Sequence, residues 1–586
     1  MKSFRKKTKW IAVLLCLTMI IGCFAGCGSK QEEPAAQTEK TEQTTETTKT
    51  EETAEAEEEA ADEIVPGELP LTTDPDATIT IGITTNALVE DYDTNAFTKY
   101  IEENTGVNLE FVYLASTAEE SQTQLTMMMS SGEKLPDILF GTIKDEVTSI
   151  QYGREGYLVN LKPYFEQYAH YFYEGYDKVP SESDKALIMS LAADPVDGAM
   201  YAFPYYSVAG GDAIASLTTI NQEWLKAVGA EKPTTTEELY EVLVKFRDED
   251  PNGNGKQDEI PMLSYPGYRA KADLFLINAF VYCVDDYMWN VTDGKLWSPY
   301  STDEYREAMI YINKLVSEGL LSTLTFTLDD SADSELMALY TPSDGTALAG
   351  VVSAHPTLTM EEGNDLIYEY TSLEPLAAVT DKGGYGAMAA NKFSYDVGIT
   401  TDCEDPVLAF RLLDFMSSQE SAHRGRLGEY GVNWTDADEG GAVATTGEPA
   451  TAKIISDPWG KQGNVVWQDA GNFIDGWEFM STQGTYGDDW PSARSMLFKN
   501  LYQGYKTAGQ PKERFTLVSY TDEENEIISE LQTIYKDYVE EARALFATGT
   551  LDPNNDADWE EYLANLEVLG ESQLLECAQA AYDRMN

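Results

Sequence analysis

The chain has 586 residues, and its 101 Asp and Glu against 40 Lys and Arg give a formal net charge of -61. Phosphate backbones and anionic lipid headgroups repel such a chain, which weighs against nucleic-acid binding and against electrostatic membrane binding. Six cysteines form no disulfide framework, because Cys16 and Cys23 lie in an N-terminal apolar segment, Cys27 ends it, and Cys283, Cys403 and Cys577 are far apart; one bridge among those three is left open.

Residues 1–27 join a basic head (Lys2, Arg5, Lys6, Lys7, Lys9) to an apolar run from Trp10 to Ala25 that is short for a bilayer span, the pattern of a signal peptide. It ends in Phe24-Ala25-Gly26-Cys27, which resembles a lipobox whose Cys27 becomes the diacylated N-terminus, with Cys23 as the weaker alternative. Two acyl chains on one residue suffice for stable anchoring. Residues 28–76 are Glu, Thr, Ala and Gln with almost no branched or aromatic apolar side chain, so they read as a disordered acidic tether with a reach of roughly 40 Å.

From Thr78 to Ile83 the residues alternate as a strand and then stop at the polar Thr84-Thr85-Asn86, which predicts a loop at a strand's carboxyl end, where open α/β sheets bind ligands. Phe97, Tyr100 and Ile101 recur at helical spacing, Leu109 to Tyr113 alternate, Gln122 to Ser131 predict a helix with Met127 to Met129 as core filling, and Ile138-Leu139-Phe140 predict a third strand. Strand, helix, strand, helix, strand is the start of a doubly wound α/β sheet. At Met200 to Asn221, Pro204 and Gly210-Gly211 interrupt two strand-like runs where the chain can change lobe, and a second return is expected near Leu373 to Thr380, after a strand at Ala347 to Val352.

Residues 250–261, DPNGNGKQDEIP, follow a helical stretch and read as a calcium loop. Oxygen donors recur at Asp250, Asn252, Asn254, the carbonyl of Lys256 and Asp258, the alternate spacing that wraps a loop round a hard cation, with Gly255 at the sharp turn. An EF-hand would carry glutamate at the twelfth position. Here that position is Pro261, so Glu259 must close the shell and a strand rather than a helix must follow. Beyond Thr521 a Thr521/Glu524 capping box opens an apolar stripe of Ile527, Ile528, Leu531, Ile534, Tyr535, Tyr538 and Val539, which predicts a packed helix, with further helices through Trp559 to Leu566 and Leu574 to Tyr582.

The loop, the crossing segment DGAMYAFPYYSV with INQEWLKAVGAEKPTTTEEL after it, and the tail TDEENEIISELQTIYKDYVEEARALFATG together resemble the extracellular solute-binding protein family 1, the carbohydrate-binding lipoproteins of ABC importers. The resemblance implies a two-lobed periplasmic-binding-protein-like fold of type II, with lobe I at 77–207 and about 371–435, and lobe II at 208–370 and about 436–586. It further implies a carbohydrate ligand, an ABC permease as partner, a lipid anchor as the only membrane contact on the outer face of the cell membrane, and a monomer.

A sugar presents apolar C–H faces and a rim of hydroxyls, so its site needs flat aromatic rings with polar groups round them. Among 35 Tyr and 10 Trp, those in polar or Gly-rich surroundings are Tyr205, Tyr206, Tyr385, Trp434, Trp477 and Trp490, with Asn86, Thr142 and His355 as polar partners. His355 follows a strand where the family places binding residues, yet it stands before Pro356 and suits a structural role equally. The three histidines are remote in sequence, and no nucleophile elbow, phosphate loop or zinc spacing occurs, so a binding protein is expected rather than an enzyme. The alternatives are a surface lipoprotein that degrades glycans, or one that captures them without a permease.

Overall fold

A computed structural model of the chain describes residues 64–179, 182–207, 214, 216–264, 271–284, 288–327, 345–354, 365–388, 392–437, 444, 449–468, 483–484, 490–515 and 517–585. Its first sheet is built from β1 (Thr78–Thr84), β2 (Asn108–Leu114), β3 (Ile138–Phe140), β4 (Phe203–Ser207) and, much later in the chain, a returning strand at Lys392–Ile399. The second sheet contains β5 (Thr218–Asn221), β6 (Ile260–Ser264) and two later strands. Short hairpin strands β7 (Asn290–Thr292) and β8 (Lys295–Trp297) stand apart; β9 (Ala349–Ser353) and β10 (Tyr370–Ser372) complete the second sheet, and β11 is the Lys392–Ile399 return.

The first sheet has the order β2-β1-β3-β11-β4, with β1 parallel to β2 and β3, in register Ile81↔Ile138 and Ile83↔Phe140, and β11 antiparallel to both its neighbours. Ile79, Ile81 and Ile83 alternate with Thr78, Thr80 and Gly82, so all three share one face of the sheet and are buried in one apolar core. The Ala96–Thr105 helix is started by the Asn95 side chain, which accepts from the Phe97 N–H, and ended by Gly106 at φ 74°. The second sheet has the order β10-β5-β9-β6, with β6 parallel to β9 and β5 antiparallel to both neighbours. Each sheet carries its own large apolar core, one around Ile81, Phe97, Phe172 and Phe410, the other around Trp224, Phe246, Ile312 and Phe546. The architecture is a two-lobed α/β fold.

Three connections join the lobes. The first runs from β4 to β5 and the second from β10 to β11, and the two pair with each other through an antiparallel bridge, Ile214↔Met388. The second is held tightly: a Cβ on Gly386 would lie 2.5 Å from the Tyr505 carbonyl, so only glycine lets the crossing lie against the Trp490–Ala508 helix. The third connection differs from the expected boundary near 435. Strands β12 (Trp434–Asp436), β13 (Ala452–Ile454) and β14 (Gln483–Gly484) form a small sheet, and Trp467 is fully buried in the first lobe's core, whereas Leu497 packs with Val352 and Tyr370 in the second lobe. The chain therefore stays with the first lobe to at least Trp467.

One other expectation is corrected. Met127 is 62% exposed and only Met128 and Met129 pack against the core, because the Ala118–Ser131 helix turns its first methionine to solvent. Cys283, Cys403 and Cys577 are buried, and no disulfide joins them, which closes the possibility left open by the sequence. No helix among the described residues is long and apolar enough to cross a membrane.

Candidate functional site: a cleft between two polar sheet edges

The parallel strands of the first sheet end at Thr84, Leu114 and Phe140, which brings Asn86 and Thr142 to one edge. Thr84 donates to the Gly141 carbonyl at 2.8 Å and so ties the two loops together, while the Asn86 side chain accepts from the Leu88 N–H at 2.9 Å. Thr142 is fully buried, and its hydroxyl has no hydrogen-bond partner among the described residues. An unsatisfied buried hydroxyl costs about 1–3 kcal/mol, so this one is poised for an acceptor or donor that the described residues do not supply.

The second sheet has a matching edge that sequence reasoning missed. β6 and β9 end at Ser264 and Ser353, and β5 begins beside them at Thr218 because it runs antiparallel. Thr218 and Ser353 hydroxyls lie 2.8 Å apart, Ser216 is 3.2 Å from Thr218, and Tyr505 donates to the Ser216 carbonyl at 2.6 Å. The signal available was a buried apolar run, Ala349 to Val352, that stops at a serine. The first crossing leaves from Ser207 at the carboxyl end of β4 and arrives at Thr218; the second leaves from Ser372 and arrives at Lys392, beside Ser207. Both therefore join the polar edge of one sheet to the polar edge of the other, which makes the space beside the crossings the cleft of the fold.

The aromatic candidates divide. Neighbouring strand residues point to opposite faces, so Tyr205 is half-buried while Tyr206 is fully buried, its hydroxyl donating to Asp184 at 3.0 Å and its ring 5.1 Å from Phe393. Trp434 is likewise interior: it is 3% exposed, its indole N–H donates to the Gly428 carbonyl at 2.9 Å, and its ring meets Tyr430 and His423 edge-on. Neither Tyr206 nor Trp434 offers a ring face to a sugar; both are core side chains with their polar atoms satisfied. Tyr385 is half-buried against Tyr282 and lines, with Ser216, Phe275, Asn278 and Tyr505, a cavity of about 10 Å³ that has room for no more than a water. Trp490 opens the Trp490–Ala508 helix. Trp477, His355 and the lipidation candidate Cys27 lie outside the described residues.

The calcium-type loop lies between the Thr236–Asp248 helix and β6, the expected order of helix, loop and strand. Asp250 is held at φ 48° and Gly255 at φ 75°, and the Gly255 N–H donates to Asp250 Oδ2 at 3.0 Å, so the chain curls round its own carboxylate. Asn254 donates to Asp258 Oδ1 at 2.9 Å and Asn252 reaches the same oxygen at 3.5 Å. Asp250 Oδ1 and Glu259 Oε1 are buried without partners among the described residues. Burial, with the charges of Asp250 and Asp258 beside it, pushes the Glu259 carboxyl above the usual range. Unpaired carboxylate oxygens crowded into one loop fit a hard cation. Among the described residues no cluster of three His, Cys, Asp or Glu side chains stands ready to hold a metal, and the donor set here draws also on two amides and the Lys256 carbonyl.

Two open α/β lobes, joined by crossings between polar strand edges and enclosing a cleft, define the class of two-lobed binding proteins. The chain belongs to the bacterial extracellular solute-binding protein family, whose model matches residues 84–423. It is 29% identical over 235 residues to the fructooligosaccharide ABC transporter substrate-binding protein FusA of Streptococcus pneumoniae, covering 39% of this chain and 42% of that protein. It is 28% identical over 237 residues to the lipoprotein LipO of Bacillus subtilis, covering 40% and 42%. The chain thus spans about two fifths of the length of these curated relatives. Among solved structures, an HMO-binding, ABC-transporter-associated solute-binding protein from Bifidobacterium longum infantis superposes with a TM-score of 0.68 at 20% identity, over 86% of this chain and 98% of that one.

Proposed function

We propose that this chain captures an oligosaccharide between its lobes outside the cell and hands it to the permease of an ABC importer, as a monomer tethered through a lipid on Cys27. The observation that carries this reading is the pair of polar strand edges joined by the crossings, with the unpartnered Thr142 hydroxyl on one and the Ser216, Thr218 and Ser353 hydroxyls on the other. A neutral, hydroxyl-rich ligand suits groups that both donate and accept. FusA's description as a fructooligosaccharide-binding component of a transporter supports the ligand class, and LipO's as a lipoprotein supports the anchor. Asn86, Tyr205, Tyr385, His355, Trp477 and Trp490 complete the proposed set. Such a ligand stabilises the closed state by touching both lobes, and the permease reads that state; nothing in the cycle consumes the sugar.

A thermal-shift screen of neutral oligosaccharides tests the ligand class. A true ligand at a hundredfold excess over its dissociation constant is expected to stabilise the protein by about 2.7 kcal/mol. If acidic or peptide ligands shift the melting temperature and no neutral oligosaccharide does, the ligand class is wrong.

We infer further that Asp250, Asn252, Asn254, the Lys256 carbonyl, Asp258 and Glu259 hold a structural Ca²⁺, which would cancel the carboxylate repulsion in the loop. Calcium at a hundredfold excess is expected to add about 2.7 kcal/mol, and the paired change Asp250→Ala with Glu259→Ala to remove that gain while oligosaccharide affinity stays nearly unchanged. A calcium-dependent melting shift that persists in the double variant would remove these residues from the site.

A further inference from the structure

The loop at Asp250 holds the only two Asn-Gly pairs in the 586 residues, Asn252-Gly253 and Asn254-Gly255. Such a pair can modify itself. The main-chain nitrogen that follows the asparagine loses its proton and attacks the side-chain Cγ, a C–N bond forms, and the side-chain nitrogen leaves as ammonia. Water then opens the resulting succinimide ring at either carbonyl, which gives aspartate or isoaspartate, the latter with a main chain one methylene longer. Glycine eases the attack because it has no Cβ to block the approach.

Both electrophiles are polarised in the structure. The Asn252 side-chain oxygen accepts from the Asn254 N–H at 3.0 Å, and the Asn254 oxygen accepts from the Lys256 N–H at 2.8 Å. Donors on that oxygen stabilise the negative charge that builds on it when Cγ is attacked. Both nucleophiles are restrained, and one residue restrains them. The Gly253 N–H donates to the Asp250 main-chain carbonyl at 3.1 Å, whereas the Gly255 N–H donates to the Asp250 carboxylate, at Oδ2, at 3.0 Å. An amide held in this way gives up its proton only on local opening. At Gly255 a second effect adds to the first, since the amide anion would form beside a carboxylate and like charges repel. Gly253 and Gly255 are exposed, and a Cβ on either would meet nothing within 4 Å, so water reaches the loop.

We propose that this loop is a self-modification site in which Asn254 is the reactive residue and the Asp250 carboxylate is its guard. The two restraints differ in kind: the one on Gly253 is made by main chain, which no side-chain change removes, and the one on Gly255 depends on the Asp250 side chain. The guard rests on these hydrogen bonds alone; its consequence for calcium rests on the metal reading above. Aspartate at position 254 keeps an oxygen donor in place. Isoaspartate lengthens the chain between Asn252 and the Lys256 carbonyl and puts the alternate donors out of step, so conversion ends the calcium response of the molecule that carries it.

The test is peptide mapping by mass spectrometry of the full chain after incubation at mildly alkaline pH with a chelator, so that no metal contributes. Asp250→Gly removes the carboxylate, keeps the main-chain carbonyl and suits the φ of 48° at this position. It is expected to raise conversion of Asn254 several-fold and to leave Asn252 unchanged. Asp250→Asn keeps an acceptor without the charge and should fall between the parent and Asp250→Gly. Equal acceleration at both asparagines, which is what mere loosening of the loop would give, or no acceleration at Asn254, would overturn the guard. A calcium arm separates this from the metal reading: calcium held in the loop is expected to slow Asn254 in the parent and to do nothing in Asp250→Gly. Selective acceleration in Asp250→Gly with no calcium effect in the parent would leave the guard standing and sink the metal site.

Discussion

Asp273→Ala is expected to cost about 3–5 kcal/mol of stability, read as a fall in the urea midpoint without loss of slope. Arg543 Nη1 donates to Asp273 Oδ2 at 2.9 Å, with the two side chains 4% and 13% exposed, and its Nε lies 3.3 Å from the Tyr305 hydroxyl. The pair fastens the Asp522–Ala547 helix to the short Ala272–Ile277 helix inside the second lobe's core. Taking away the carboxylate removes the Asp273 countercharge from a guanidinium that is 4% exposed. Replacing both residues together, Asp273→Leu with Arg543→Leu, should cost much less, because the charge that needs a partner goes too. A single variant as stable as the parent would show that the pair contributes nothing to the lobe.

Trp467→Ala is expected to lose a similar amount, about 3–5 kcal/mol, but from the first lobe. Its indole is fully buried, meets Phe97 at 5.2 Å, Phe111 at 5.4 Å and Phe140 at 6.0 Å edge-on, and donates to Thr98 Oγ1 at 2.8 Å. Truncation removes the centre of an aromatic cluster and leaves the Thr98 hydroxyl without its donor. Trp467→Phe should keep most of the packing and lose roughly the hydrogen bond, about 1 kcal/mol. The calcium-dependent shift should survive in both variants, since the loop belongs to the other lobe. Unchanged unfolding of Trp467→Ala would place the third connection nearer to residue 435 after all.

These two residues also mark where sequence reading stops. β1 to β3, the first crossing, the loop at Asp250 and the capped helix at Thr521 were legible because alternation, Pro/Gly interruption, donor spacing and capping chemistry are local signals. Arg543 was not, because a stripe of apolar positions says nothing about a charged residue beside it that a distant Asp neutralises. Trp467 and Trp434 sit among strands of three residues or fewer, too short for a period to register, and a tryptophan near glycines suits a sugar platform and a core plug equally. The same difficulty misplaced Tyr206, since pleat direction cannot be read from a Tyr pair. The hydroxyl row at Ser216, Thr218 and Ser353 was invisible for another reason: its members meet only through strand pairing across the second sheet.

A binding protein of the kind proposed closes on an oligosaccharide and releases it unchanged. Small-angle scattering with each thermal-shift hit, followed by recovery and chromatography of the sugar, tests it most directly. The expected result is a smaller radius of gyration in the presence of ligand and quantitative return of the intact oligosaccharide. Tight binding with no change in dimensions, or conversion of the sugar to shorter products at catalytic rates, would contradict it.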